Sequence, residues 1–154
     1  MHKINLGCGK DIISGWINYD VVPLTPEVVK LDMEKGEIPL PDNSVDEIKA
    51  KDVLEHLNDF IPIMNEMWRV LTPSGRAFIR VPLWPTNSVV NDPTHKRGFV
   101  PETFTYFTEY AEEGRFPQYH IKRWKAISLD IIRDILVFGD NIEVWMSPVK
   151  DTVW

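Results

Sequence analysis

Only six residues, 10–15, separate the turn Gly7-Cys8-Gly9 from the next strand-like run at 16–21. The turn follows a short apolar run at 3–6, so it reads as a buried strand entering a tight bend. Glycine there lets the backbone reverse and approach a ligand closely. Parallel neighbours in a sheet are normally joined by a crossover of about a dozen residues or more, usually a helix. Six residues cannot hold a normal crossover helix.

The rest of the chain alternates in period. Strand-like runs are expected at 28–31 and at 45–50, the latter after the turn-like Pro41-Asp42-Asn43-Ser44. Leu57, Phe60, Ile61, Met64, Met67, Trp68 and Leu71 fall at helical spacing. Pro62 belongs in the first turn of that helix, and Pro73 and Gly75 are read as its end. A fifth strand is expected at 76–81, then a long loop over 83–100. Pro101 opens another helix that Gly114 stops, 118–125 is read as extended, and Ser128 as the cap of a helix through 138 ended by Gly139. A last strand, antiparallel to the rest, is expected at 142–146. Strands alternating with helices predict one α/β domain over 1–154, doubly wound with a mostly parallel Rossmann-like sheet. Ligands of such sheets bind beyond the carboxyl ends of the strands.

Composition narrows the function. The formal net charge of −6 disfavours nucleic acid and anionic membrane, which attract Lys and Arg. A hydrophobic fraction of 44% and a charged fraction of 26% suit a globular chain. The single cysteine, Cys8, excludes an intrachain disulfide. No signal-peptide core and no apolar stretch of about 18 residues is visible, so a cytoplasmic protein is expected.

The second strand-like run ends in Asp20, where a carboxylate can accept hydrogen bonds from both hydroxyls of an adenosine ribose. A dinucleotide site also needs a crossover helix to hold its pyrophosphate, and the third glycine of G-x-G-x-x-G. This chain lacks both, which argues against a nucleotide-dependent oxidoreductase. A ligand with adenosine and no phosphate fits better, and S-adenosylmethionine (SAM) is one.

Five segments resemble the class I SAM-dependent methyltransferases, of the small methyltransferase-11-like kind with a shortened first crossover. They are Ile4-Asn5-Leu6-Gly7-Cys8-Gly9, Gly15-Trp16-Ile17-Asn18-Tyr19-Asp20, the run from Ile38 to Asp46, Asp52-Val53-Leu54-Glu55-His56-Leu57, and the run from Glu66 to Arg76. They occur in order over about residues 3–82. The resemblance implies a methyltransferase with SAM as cofactor. Gly7, Cys8 and Gly9 would line the amino-acid part of SAM, and Asp20 would hold the ribose. Asp32 and Met33 would meet the adenine, and Lys51 and Asp52 would lie near the methionine end or the methyl group. His56 is read as a structural hydrogen-bonding residue.

The acceptor side is sought in the 83–100 loop, because long loops in compact domains are often functional. It carries Asn91-Asp92-Pro93-Thr94-His95-Lys96-Arg97. His95 is the candidate general base and Asp92 the group that orients it or binds substrate. A small-molecule or sugar-like acceptor, methylated on oxygen or nitrogen, is the expected substrate. The alternative is a noncatalytic module of the same fold that binds a partner protein. The basic cluster His120, Lys122, Arg123 and Lys125 is read as a solvated strand face. Trp154 is expected to pack on a surface. The missing crossover helix leaves part of the sheet less covered, with Ile12, Ile13 and Trp16 as expected compensation and a homodimer as a possible cover. No metal ligand set is expected.

Overall fold

The computed structural model describes residues 1–133 and 139–150. Its strands are β1 (His2–Leu6), β2 (Ile17–Asp20), β3 (Val28–Lys30), β4 (Val45–Lys51), β5 (Leu71–Pro82), β6 (Trp124–Ile132) and β7 (Asn141–Pro148). They form one sheet in the order β3-β2-β1-β4-β5-β7-β6. The pairs from β3 across to β5 are parallel, and β7 runs antiparallel to both β5 and β6. The winding reverses between β1 and β4, which places the ligand-binding switch point beyond Gly7 and Asp52.

The short crossover works through two buried asparagines that face each other across the β1–β2 register, Asn5 and Asn18. Asn5 Nδ2 donates to Asp11 O at 2.7 Å and to Asn18 Oδ1 at 3.0 Å. Asn18 Oδ1 also accepts from Ile13 N at 2.9 Å, and its Nδ2 donates to Ile13 O and Trp16 O. The loop's backbone groups are thereby satisfied by side chains instead of a helix. Ile12 is exposed, so it does not cover the sheet as expected, while Ile13 and Trp16 are half-buried.

One sheet face carries the core. Ile4, Leu6, Ile48, Ala50, Ala77, Ile79, Val81, Ile142, Val144 and Met146 are all buried. Against the core lie Ile63, Met64, Met67 and Val70 of α1 (Ile61–Val70), each contributing about 1.5–3 kcal/mol on burial. The alternate positions face the other way. That second face holds ion pairs and rings: Glu47 bridges Lys3 and Arg76, and Arg76 stacks over Trp145, which meets Phe78.

Pro62 sits in the first turn of α1 as expected, but the helix starts at Ile61 and ends at Val70, passing straight into β5 at Leu71. Leu54–His56 is a separate 3-10 turn. The 83–100 loop contains α2 (Asn87–Val90). The segment opened by Pro101 is a 3-10 helix, Pro101–Tyr106, followed by α3 (Glu109–Glu112) and stopped at Gly114, φ +61°. Two expectations are corrected. Residues 118–125 are not extended throughout, because Pro117–Tyr119 forms a 3-10 turn that His120 ends in a left-handed conformation. Residues 128–132 belong to β6, not to a helix: Ile127, Ile131 and Ile132 are β-branched, and Ser128 to Ile132 pair along β7. The rest of that expected helix, 134–138, and Trp154 lie outside the described residues. Among the described residues no helix is long and apolar enough to cross a membrane.

Candidate active site

The turn after β1 is shaped by positive φ at Gly7 and Gly9, and the two glycines are constrained differently. A Cβ on Gly7 would lie 2.3 Å from Val53 Cγ2, whereas one on Gly9 would meet nothing within 4 Å. The Gly9 amide donates to Asp20 Oδ2 at 2.8 Å, and Val22 N donates to Asp20 Oδ1 at 2.9 Å. Asp32 caps the 3-10 turn Met33–Lys35, its Oδ1 accepting from Glu34 N at 3.1 Å. Each carboxylate oxygen retains a free lone-pair direction for a ligand hydroxyl or amine.

These groups surround a cleft of about 330 Å³ lined by Gly7, Asp20, Val21, Asp32, Met33, Asp52, Val53 and His56, among others. Of the residues expected at the cofactor, Gly7, Asp20, Asp32, Met33 and Asp52 therefore converge. Cys8, Gly9 and Lys51 do not line the cleft. Cys8 is buried, and burial raises its thiol above the ordinary range, with the Asp20 charge acting in the same direction. That is the environment of an inert thiol. Asp52 adopts φ +56° and is held by Arg80, whose Nε and Nη2 donate to its two oxygens at 2.8 and 2.7 Å.

A second cavity of about 460 Å³ opens on the other side of Asp52 and His56, and both residues line the two spaces. Its wall includes Glu55, Arg80, Asn91, Asp92, His95 and Asn141. The 83–100 loop reaches it because backbone bonds pin the loop across the end of β4. Lys96 N donates to Glu55 O at 2.7 Å, and Arg97 donates to the carbonyls of Leu57 and Asn58 while covering the Phe60 ring. His95 thus lies against His56, their rings edge-to-face with centroids 4.8 Å apart.

His95 Nε2 is 3.9 Å from Asp92 Oδ2 and 3.9 Å from Glu55 Oε1. Neither is a hydrogen bond. Asp92 acts on His95 through its charge, which hydrogen bonds from the Thr94 hydroxyl and amide hold by lowering the carboxyl pKa. Glu55 is 1% exposed, its Oε2 has no partner, and burial pushes its carboxyl up to about 8, with Asp52 adding in the same direction. Sequence reading missed Glu55 and Arg80 and gave His56 only a structural role. The available signal was an acidic residue set directly after the apolar pair Val53-Leu54 and before His56. The basic cluster lies elsewhere: Asn65 of α1 binds the backbone of His120 and Lys122, and Lys122 sits over Trp68.

Comparison with known proteins bears on the fold that carries this site. A family described as Methyltransferase domain matches residues 16–79. The chain is 30% identical over 121 residues to a probable S-adenosylmethionine-dependent methyltransferase of Mycolicibacterium smegmatis, an alignment covering 68% of this chain. In the matched region the chain is similar to the class I SAM-dependent methyltransferases. It spans 47% of the length of that Mycolicibacterium relative. Two solved structures share the methyltransferase fold. A SAM-dependent methyltransferase from Archaeoglobus fulgidus superposes with a TM-score of 0.65 at 17% identity, over 95% of this chain and 85% of that one. The 1,6-didemethyltoxoflavin-N1-methyltransferase of Burkholderia thailandensis, solved with 1,6-didemethyltoxoflavin and S-adenosylhomocysteine bound, gives 0.64 at 13% identity, over 96% and 71%. Sheet order, the switch-point cleft and the bond from the Gly9 amide to Asp20 are the features this chain shows for itself.

Proposed function

We propose that the chain transfers the methyl group of SAM to an oxygen or nitrogen of a small-molecule or sugar-like acceptor. The observation that carries this reading is the contiguity of the two cavities at Asp52 and His56. SAM lies in the smaller one, its ribose at Asp20 and its adenine at Asp32 and Met33. Gly7 and Gly9 shape the turn beneath its amino-acid part, with Cys8 packing behind them; Asp52 stands at the methionine end, and Lys51 precedes it off the cleft wall. The acceptor fills the larger cavity.

The chemistry asks little of the protein. The nucleophile displaces a neutral thioether, so no acid is needed, and alignment at about 3 Å with water excluded supplies most of the acceleration. A hydroxyl or ammonium acceptor must lose a proton, and His95, polarised by the Asp92 charge, is the group we assign to receive it. The reading includes one domain working in the cytoplasm. A second copy is the partner assigned to the bare edge strand β6, where Ile127, Leu129, Ile131 and Ile132 are exposed.

Incubation with methyl-labelled SAM and a panel of hydroxylated and amino-bearing small molecules tests the reading. Label transfer to one acceptor class that falls in His95→Ala supports it. Full transfer by His95→Ala contradicts the assigned role of His95.

A further inference from the structure

Of one cluster in the larger cavity, Glu55, His56 and His95, the methyl-transfer reading uses His95 alone. We infer that Glu55, His56 and His95 bind a divalent transition-metal ion at the wall of the acceptor cavity. The inference rests on the reading of that cavity as the acceptor site and deepens it. One ligand atom from each of the three residues lies within 4.8 Å of the others. Two donors on one ion at bond lengths of about 2.1 Å lie up to about 4.2 Å apart, so the cluster closes on an ion with shifts of a few tenths of an ångström.

The hydrogen bonds around the two histidines fix their tautomers. The Thr94 hydroxyl has one proton, which goes to Asp92 Oδ1 at 2.6 Å. His56 Nδ1, 3.0 Å from the same oxygen, must therefore donate to it, and the lone pair stays on His56 Nε2. His95 Nδ1 lies 3.2 Å from Val89 O, a carbonyl that can only accept, so this ring also donates from Nδ1 and keeps its lone pair on Nε2. That Nε2 points its electrons toward carboxylate oxygens of Glu55 and Asp92, each 3.9 Å away. With Glu55 ionised, that lone pair would face two carboxylates, an arrangement that is repulsive unless a proton or a cation lies between them. A cation between them converts every one of these contacts into an attraction. Histidine held by an Nδ1–H bond to an oxygen, with Nε2 presented inward, is the arrangement that orients metal ligands.

Glu55 supplies the independent observation. Its side chain is 1% exposed, and Oε2 is buried with no hydrogen-bond partner. A buried carboxylate oxygen without a partner is costly unless a cation or proton meets it. Two imidazoles with one carboxylate select manganese, iron, cobalt or zinc over magnesium or calcium, whose preferred ligands are all oxygen. The open side of the ion faces the cavity, where an oxygen or nitrogen of the acceptor completes its coordination. With the ion bound, the His95 lone pair is taken up by the metal, and the ion replaces His95 as the activating group: it polarises the acceptor, whose proton leaves to solvent.

The test uses the untagged full chain, stripped with a chelator and titrated with Mn²⁺ by loss of the free-ion paramagnetic resonance signal, and with Co²⁺ by visible absorption. Wild type, His95→Ala and His56→Ala are titrated with the ions in the same way, and wild type and His95→Ala, whose side chain does not line the smaller cleft, also with S-adenosylhomocysteine. The inference expects one ion per chain, affinity at least about tenfold weaker in each variant, and cofactor-product affinity of His95→Ala within about twofold of wild type. Absence of stoichiometric ion binding, or binding that neither variant weakens, overturns it. Ion binding without S-adenosylhomocysteine binding supports the metal site and overturns the cofactor reading alone.

Discussion

The two cavities that meet at Asp52 are built on opposite plans. In the cofactor cleft the carboxylates already serve the backbone: Asp20 accepts from Gly9 and Val22, and Asp32 caps the turn behind it. In the cavity proposed for the acceptor the polar groups are gathered but unspent: Glu55 Oε2 has no hydrogen-bond partner among the described residues, and His95 Nε2 faces carboxyl groups beyond hydrogen-bond range. The first plan makes the binding groups part of local structure, so that shape precedes ligand. The second leaves groups in wait for something that completes them, as functional sites often do.

Substitutions can break that contrast. The largest effect is expected at Gly7. Valine there meets Val53 at once and must hold φ +62°, so Gly7→Val should lose about 3 kcal/mol in urea unfolding, together with SAM binding. Gly9→Ala, with open space around it, should lose only the conformational part, about 1–2 kcal/mol. A Gly9 variant as damaged as the Gly7 variant would refute the account of the turn.

Next comes His95→Ala. It should lower turnover about a hundredfold while cofactor-product affinity, read by calorimetry, stays within about twofold. Parallel loss of both would erase the distinction between the cavities. Asn18→Ala should cost about 2 kcal/mol, because it strands Asn5 and the amide of Ile13 in the interior of the short crossover. Asp32→Ala sharpens the claim that cofactor residues do double duty. It should cost about 1 kcal/mol of stability through the lost cap and weaken cofactor binding as well. The smallest effect belongs to Lys122→Ala, on the far side of α1, which should change stability by less than about 0.5 kcal/mol and leave binding untouched.

The same contrast explains what was legible in the sequence. The half proposed for the cofactor is local: a strand, a glycine turn and an acidic strand end lie within residues 3–20, so Gly7 and Asp20 are candidates from residue types in order, and Asp32 follows from the resemblance. The mostly parallel sheet likewise follows from the alternation of strands and helices, whereas its strand order needed the structure. The acceptor half is assembled at long range. His95 reaches Glu55 only because Lys96 and Arg97 tie their loop to residues 55–58, a bond pattern no local period encodes. The misread segment, 128–132, is a strand because β7 offers it a partner, and tertiary pairing outweighs a cap-like serine. Asn5 and Asn18 were quoted as parts of motifs, yet their role as the substitute for a crossover helix needed the register between β1 and β2.

The central claim is that the cleft beyond β1 and β2 is a SAM site organised by Asp20. Calorimetric titration of the folded chain with SAM and S-adenosylhomocysteine, with NAD as control, tests it most directly. The account predicts saturable binding of the first two, no binding of NAD, and an affinity reduced about ten- to a hundredfold in Asp20→Ala, the worth of charge-assisted hydrogen bonds to the ribose. Failure of the folded chain to bind either adenosyl compound, or binding that Asp20→Ala leaves intact, would contradict it.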